Sequence, residues 1–436
     1  MRARPRPSSS CVAFEAAMRA CAPAACATLS LALVLAAAIF VPRPACATET
    51  AILANPAAMP GNELAYTLDV DGMRIVTGSP GEASSTGAAY VFDCASQPCA
   101  SPVRVASNDL AAGDRFGATV ALSSDTLAIG APGQQPAAIY VFVRSGSLWT
   151  QQARLVASGA AASDGFGRSL ALEGDRLVVA AANADNRTGA AYVFSRSGAV
   201  WTQQARINAT DGVAGDAFGR SVAVSGDTIL VGAPLKAAVA GSFANGAAYA
   251  FVRTGTSWPQ QAKLVASASA DGDSFGSSLA IEGDRAIVGA PLAANRAGSA
   301  YVFGRSGTVW TQQTQLTSAP SASGDRFGWS VALSGNQAVV GAPYALDSCG
   351  ASYTFANSAS VWTQTAGASI GTSTHGDLAG WAVAADQGRW AIAAPGNDGP
   401  LQHVGVAFWF DAVAAADSVF RDGFDAGGTV ACVASR

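Results

Sequence analysis

Aspartates recur along the chain at a spacing that could gather carboxylates around one point. They stand two residues before a Phe-Gly pair or its counterpart, and the set is Asp114, Asp164, Asp216, Asp273, Asp325 and Asp377, with Asn62 in the first copy. A ring of carboxylates could bind cations. Alternatively, each side chain accepts backbone N–H groups within its own turn, which an asparagine does equally well. We favour the turn role, because Asn62 occupies the same place.

Tryptophans form a second recurring set, each opening a polar alternating segment such as Trp201-Thr202-Gln203-Gln204. The set is Trp149, Trp201, Trp258, Trp310 and Trp362. Exposed indole rings in a series could stack on sugars. One aromatic residue per repeat at a fixed place is more typical of a packing residue, and we expect these five to be structural.

Catalytic chemistry has few candidates in this chain. It contains two histidines, His375 and His403, and neither lies in a triad signature. The zinc-peptidase, phosphate-loop and dinucleotide patterns are missing from the sequence as well. We therefore predict no catalytic residues and no enzyme activity. A net charge of −4 without a Lys/Arg cluster also argues against nucleic acid as a partner.

These residues belong to a unit that repeats seven times. Gly-Ala-Pro stands at 130–132, 232–234, 289–291 and 341–343, with degenerate copies at 78–80, 180–182 and 393–395. A Phe-Gly pair lies fourteen residues before five of the seven, at Phe116, Phe166, Phe218, Phe275 and Phe327. A complete unit shows four short strand patterns separated by Gly, Ser and Asp turns. A period near 52 residues with four strands per unit predicts a seven-bladed β-propeller.

The ends of the repeat region predict how the ring closes. The seventh unit stops after its third strand, while residues 51–54 stand where the missing outer strand would precede the first unit. We therefore expect the N-terminal strand to complete blade seven. The predicted domains are a signal peptide at 1–47, the propeller at 48–411 and a C-terminal tail at 412–436.

The first segment has the pattern of a secretory signal. Arginines precede an apolar run at 29–41, and Ala45-Cys46-Ala47 provides a cleavage site. The true start is either Met1 or Met18. We expect a protein without a membrane span after cleavage, secreted or located in the periplasm or at the cell surface, and monomeric. Four cysteines then remain, and we predict the disulfides Cys94–Cys99, in place of a missing tryptophan, and Cys349–Cys432.

The Phe-Gly and Gly-Ala-Pro motifs at this offset resemble the FG-GAP repeats of integrin alpha subunits and of many exported bacterial proteins. The resemblance spans residues 50–411 and implies a seven-bladed propeller with a role in binding or adhesion. Family members often bind Ca²⁺ in an Asp-rich loop between the first two strands of a blade. Here those turns are tight, as at Glu173-Gly174-Asp175, and we predict no metal and no other cofactor.

The loops between the second and third strands vary most and project from one face, where binding sites on rigid scaffolds are common. They supply the candidate binding residues Asn183, Asp185, Arg187, Lys236, Phe243, Asn295, Arg296, Asp347, Asn397, Asp398 and His403. We expect a module that recognises a protein or a glycan. Two alternatives are a cell-envelope hydrolase or lyase and a passive surface protein, and ordinary solvated loops are an equally good reading of the candidates.

Overall fold

Seven β-sheets stand side by side in a ring, and each is built from one copy of the repeat. The computed structural model describes residues 49–54, 61–96, 99–237, 243–369, 376–396, 405–411 and 431–432. Alternating apolar residues form the strands, while Gly, Ser and Asp form the tight turns between them. The predicted signal peptide and most of the predicted tail lie outside the described residues.

The strands of blades one to four are as follows. Blade one holds β2 (Leu68–Asp71), β3 (Arg74–Ser79), β4 (Ala88–Asp93) and β5 (Val103–Val105). Blade two holds β6 (Thr119–Ser123), β7 (Thr126–Ala131), β8 (Ala138–Ser145) and β9 (Leu148–Leu155). Blade three holds β10 (Leu170–Glu173), β11 (Arg176–Ala181), β12 (Ala190–Ser197) and β13 (Val200–Ile207). Blade four holds β14 (Ser221–Ser225), β15 (Thr228–Ala233), β16 (Ala247–Val252) and β17 (Gln260–Leu264).

The remaining blades follow the same order. Blade five holds β18 (Ser278–Glu282), β19 (Arg285–Ala290), β20 (Ser299–Ser306) and β21 (Val309–Leu316). Blade six holds β22 (Ser330–Ser334), β23 (Gln337–Ala342), β24 (Ala351–Ser358) and β25 (Val361–Ser369), and β29 (Ala431–Cys432) adds a fifth strand from the tail region. Blade seven holds β26 (Val383–Asp386), β27 (Arg389–Ala394), β28 (Val406–Asp411) and the N-terminal β1 (Glu49–Leu53).

The short helical segments lie between strands. Four one-turn segments connect the second and third strands of their blades: α1 (Glu82–Ser85), α2 (Ala184–Arg187), α3 (Ala293–Arg296) and α4 (Ala345–Ser348). A 3₁₀ turn spans Ala162–Asp164. No helix in the described part of the chain is long and apolar enough to cross a membrane.

The N-terminal strand closes the ring as predicted. Strand β1 pairs antiparallel with β28, with Ile52 opposite Phe408 and Leu53 opposite Ala407. Leu53 is buried in the cluster between blades seven and one. The innermost strands β26 and β2 also contact each other, as the innermost strands do at the other blade boundaries. The seven-bladed, all-β prediction is confirmed, including its closure.

The repeated motif forms the joint between neighbouring blades. Each Phe of the Phe-Gly pair is fully buried and packs edge-on against two aromatic residues of its own third strand, as Phe116 does on Tyr140 and Phe142. The glycine after it places its carbonyl against the Gly-Ala-Pro glycine of the preceding blade. A Cβ on Gly232 would lie 2.0 Å from the carbonyl oxygen of Gly276. The two glycines therefore let adjacent backbones touch.

A hydroxyl group adds a hydrogen bond to five of these joints. The donor stands at or next to the start of the innermost strand, and the acceptor is the Phe-Gly glycine, or its counterpart, of the next blade. The pairs are Thr67 with Gly117, Thr119 with Gly167, Ser221 with Gly276, Ser278 with Gly328, and Ser330 with Gly380. Because this bond holds the motif glycine beside an innermost strand, the residue that follows the glycine is also held near the propeller axis.

A second ring of hydrogen bonds lies on the opposite face. The last residue of every innermost strand accepts a backbone N–H from the first turn of the next blade, over 2.5 to 3.1 Å. The acceptors are Asp71, Ser123, Glu173, Ser225, Glu282, Ser334 and Asp386, and the donors are Ser124, Gly174, Gly226, Gly283, Gly335, Gln387 and Gly72. The bond from Gly72 to Asp386 completes the circle.

The tryptophans pack at the outer part of the same joints. Trp149, Trp201 and Trp258 are buried, and Trp310 and Trp362 are partly buried against neighbouring clusters. The indole N–H of Trp201 donates to Gln152 of the preceding blade at 3.0 Å. Trp310 makes the same bond to Gln261.

Three of the predicted cysteines, Cys94, Cys99 and Cys349, are disulfide-bonded. In blade one, Cys94 and Cys99 are disulfide-bonded, and both pack into the cluster at the joint with blade seven. Cys349 is disulfide-bonded as well. Its predicted partner, Cys432, lies in β29, opposite Ala368 of β25.

Candidate functional site

The recurring aspartates serve their own turns. One carboxylate oxygen accepts the backbone N–H of the residue three positions earlier, as Asp216 does from Val213 at 2.7 Å. Asp114, Asp164, Asp273 and Asp325 make the same bond at 2.7 to 2.8 Å. This is the turn role favoured from the sequence. Among the described residues, no group of three or more His, Cys, Asp or Glu is placed to hold a metal ion.

Four of the variable loops contain one left-handed turn. The second, third and fourth residues of α1, α2, α3 and α4 all have φ between 51° and 67°. Non-glycine residues reach this conformation at a cost of roughly 1–2 kcal/mol each. The turn directs a backbone carbonyl towards the next blade. The carbonyl of Arg187 accepts the backbone N–H of Ala217, and the carbonyl of Arg296 accepts the backbone N–H of Arg326. The backbone of these loops is thus held by the blade joint, while most side chains at the left-handed positions are exposed.

The candidate loop residues fall into three groups. Asn183, Asp185, Arg187, Phe243, Asn295, Arg296 and Asp347 are exposed, with Phe243 74% exposed. Asp185 forms an ion pair with Arg206. Lys236, which the sequence suggested as a surface group, is only 5% exposed. Asn397, Asp398 and His403 lie outside the described residues, as does His375.

Lys236 is buried because blade four surrounds it with acceptors. Its Nζ lies 3.0 Å from Asp216 Oδ2 and 3.8 Å from Asp211 Oδ2, and it also donates to the Asp211 carbonyl. Tyr249 donates to the Asp211 carboxylate at 2.7 Å, and Lys263 contacts it at 2.8 Å. Burial would raise the pKa of Asp211, but the bonds from Lys263 and Tyr249 hold it below its ordinary value. We call this group the blade-four lysine cluster.

Blade six has a cleft of about 520 Å³ between its loop and the connecting segment 320–325 that leads into the blade. Pro320, Asp325 and Leu346 line it, together with Tyr344, Asp347 and Tyr353. Asp325 and Tyr353 are buried, whereas Asp347 is exposed at the rim. The lining includes two carboxylates and no lysine or arginine. We call it the blade-six cleft.

Burial shapes the charge of this cleft. It raises the pKa of the Asp325 carboxyl, although the N–H of Ala322 opposes the shift. Burial also raises the pKa of the Tyr353 phenol, and the nearby Asp325 charge adds to the effect. The phenol thus stays protonated and neutral. Since the two carboxylates are the charged groups of the lining, an occupant that donates hydrogen bonds or carries positive charge suits the cleft.

An arc of half-buried aromatic residues adjoins the cleft. Tyr66, Trp381 and Trp329 each follow the motif glycine or its counterpart, in three blades that are consecutive around the ring. Trp329 lies 4.9 Å from Trp381 and 5.8 Å from Tyr344 between ring centroids, and Tyr66 lies 6.0 Å from Trp381. We call these four residues the aromatic arc.

Arginines accompany the arc. The Arg326 guanidinium stacks 4.0 Å from the centre of the Tyr344 ring and 5.6 Å from that of Trp329. Arg296, a candidate from the sequence, lines a smaller depression of about 220 Å³ together with Arg326 and Trp329. The structure thus brings Arg296 and Asp347 beside the arc, whereas Asn183, Asp185 and Arg187 belong to blade three.

The arc went unnoticed in the sequence, although a signal was present. The position after the motif glycine holds Ala118, Arg168, Arg220 and Ser277 in four blades, but aromatic residues in the other three. Because that position precedes the innermost strand, it lies near the axis on the loop face. Comparing the copies at this single position would have identified three of the four residues, Tyr66, Trp329 and Trp381, but not Tyr344.

The fold and these joints define a seven-bladed propeller assembled through glycine contacts between blades. The FG-GAP repeat family matches residues 103–142, 149–194, 201–251, 258–303 and 310–355. Each match runs from the outer strand of one blade through the third strand of the next, so it brackets a blade joint. The matches cover more than half of the chain, which therefore belongs to the FG-GAP repeat family. A search of curated proteins found no matching relative.

Proposed function

We propose that this protein is an exported binding module that recognises a protein or glycan ligand through its loop face, without catalysing a reaction. The aromatic arc carries the proposal. Four large aromatic side chains remain half-buried on one face, although the same fold buries the motif phenylalanines completely. Repeats of this family are typical of extracellular proteins. Aromatic rings beside arginine are common at the centres of binding surfaces.

The ring supplies a rigid frame for such a surface. The joints on both faces fix neighbouring blades, and the left-handed turns hold the loop backbones. A ligand therefore meets a preformed surface, which lowers the ordering cost of binding. The stacked Arg326 and the exposed Arg296 offer positive charge beside the arc, while the carboxylates of the blade-six cleft offer negative charge next to Tyr344.

Glycan and extracellular-protein arrays probed with the purified protein test this proposal. We expect at least one reproducible ligand whose signal is lost in Trp329→Ala and Tyr344→Ala. Leu148→Ala and Val200→Ala are matched controls, because these residues are 66% and 63% exposed at turns on the opposite face. Ligand binding that survives both arc substitutions but is lost in either control would overturn the assignment. Array silence together with a hydrolase or lyase activity on envelope polymers would favour an enzyme instead.

A further inference from the structure

Blades four and six have the same local design but different occupants. Counting from the Gly-Ala-Pro glycine places Ala345 where blade four has Lys236. Tyr353 pairs with Gly367 across two strands, as Tyr249 pairs with Lys263. Asp325 and Asp216 stand at the same distance before the motif phenylalanine. Blade six thus retains the aspartate and the tyrosine but lacks both lysine side chains.

The small side chain of Ala345 leaves open the blade-six cleft, which it lines. Alanine and glycine at these two positions remove two long alkyl-ammonium groups, and a space of about 520 Å³ is found beside Asp325 and Tyr353. That volume lies within the range of ligand sites. In blade four, the counterpart of Asp325 forms a buried ion pair at 3.0 Å with a lysine.

We infer that the blade-six cleft binds a primary ammonium group carried on an unbranched alkyl stem, as in a lysine side chain. The ammonium bonds to Asp325, in the place that Lys236 takes beside Asp216. The stem lies along Tyr344, Leu346 and Pro320, since such chains cover apolar surface while the charged end reaches a polar partner. The carboxylate of Asp347 at the rim attracts the ammonium group as it enters the cleft. The inference rests on the proposed binding role and adds the chemical class of the ligand.

An ammonium fits this cleft better than a guanidinium does. Arginines occupy the strand-four position in blades one to three, where Arg206 reaches the phenol of Tyr192 and the exposed Asp185. In blade four, the cation that reaches the buried turn aspartate, Asp216, is a lysine, Lys236. A compact ammonium has three donors on a flexible stem, and it reaches a buried carboxylate more readily than a planar guanidinium does.

The test titrates the purified protein with n-butylamine at pH 7, with 1-butanol as the uncharged control. NMR shifts or calorimetry report binding. We expect saturable binding of butylamine and of N-acetyl-lysine methylamide, and none of butanol or of the Nε-acetylated form. Asp325→Asn should weaken binding at least tenfold, and Ala345→Lys, which refills the cleft, should do the same. Asp347→Asn should weaken binding two- to threefold.

Matched variants separate this inference from a loss of folding. Asn62 stands naturally at the position equivalent to Asp325, so the asparagine is compatible with the turn. Asp273→Asn makes the same change in blade five and should leave butylamine binding unchanged. Failure of butylamine to bind the unmodified protein, or full affinity in Ala345→Lys, would overturn the inference.

Two further probes identify the source of the amine and separate the two proposals. Tighter binding of lysine-containing peptides than of spermidine assigns the cleft to a partner protein, whereas the reverse assigns it to free polyamines. The array experiment with the Trp329 variant does not use the cleft. An array ligand that is lost in Trp329→Ala, with no amine binding, would therefore reject this inference and leave the proposed binding function in place.

Discussion

Replacing Lys236 by alanine tests how strongly an ammonium group is held beside a turn aspartate. The lysine side chain is buried, and its Nζ lies 3.0 Å from the equally buried Asp216 carboxylate. Removing one partner of a buried pair leaves an uncompensated charge and costs about 3–5 kcal/mol. Lys263 is the matched control, because its side chain is more exposed and contacts the exposed Asp211. Lys263→Ala should cost about 1 kcal/mol or less.

Urea unfolding of both variants measures these costs, and an added amine gives a second measurement. Lys236→Ala opens a space beside Asp216 that butylamine can occupy. A ligand at ten times its dissociation constant stabilises the folded state by about 1.4 kcal/mol. We therefore expect butylamine, but not butanol, to restore part of the lost free energy of unfolding. Equal losses in the free energy of unfolding for the two variants, or no effect of butylamine on Lys236→Ala, would contradict the role given to the buried Lys236–Asp216 pair.

Three further predictions concern the stability of the propeller itself. Gly232→Ala places a Cβ against the backbone of the next blade and should lower the free energy of unfolding in urea by about 3 kcal/mol. Gly226→Ala has open space around the new Cβ but a positive φ, and should lower it by about 1–2 kcal/mol. Deleting residues 50–55 removes the buried Leu53 and exposes the edge of blade seven, so the melting temperature should fall strongly; an unchanged value would contradict closure by β1. Asp69 lies in β2 and accepts the backbone N–H groups of Val70 and Leu122, and burial raises the pKa of its carboxyl from 3.8 to about 7. Its contribution to stability is therefore present below pH 3.8 and is lost as the pH rises to about 7. The stability of Asp69→Ala relative to the unmodified protein should accordingly increase between pH 4 and pH 8. Urea titrations at both pH values decide the last point, and a difference independent of pH would contradict it.

The spacing of the repeats was sufficient to predict the ring. The offset between Phe-Gly and Gly-Ala-Pro fixes where the glycine of one blade meets the carbonyl of the next, so the motif encodes the joint itself. The N-terminal strand was predictable too, because the seventh copy lacks its fourth strand while residues 51–54 stand at the matching distance before the first. Local spacing thus determines the architecture.

The site was less accessible to sequence reasoning, because its features depend on differences between copies. Lys236 looked like a surface cation until the fold placed Asp211 and Asp216 around it. Ala345 lines the blade-six cleft, and Gly367 pairs with Tyr353 where blade four has a lysine, yet neither small residue attracts attention in a sequence. Tyr344 becomes part of the aromatic arc only because Trp329 lies against it. Cavities of this kind are read from three-dimensional superposition of repeats, not from motifs.

The pairing of β1 with β28 has a mechanical consequence. The start of β1 at Glu49 lies opposite Phe410, near the end of β28, so the two ends of the ring emerge side by side. A force that pulls these ends apart loads the antiparallel hydrogen bonds one after another, as in opening a zipper. A force between the loop face and the end of β28 alone is shared with the pairing of β28 to β27 and with the packed blade joints, because β28 has a paired strand on both sides. Attachment through the β28 end would therefore let the propeller carry tension while it holds a ligand.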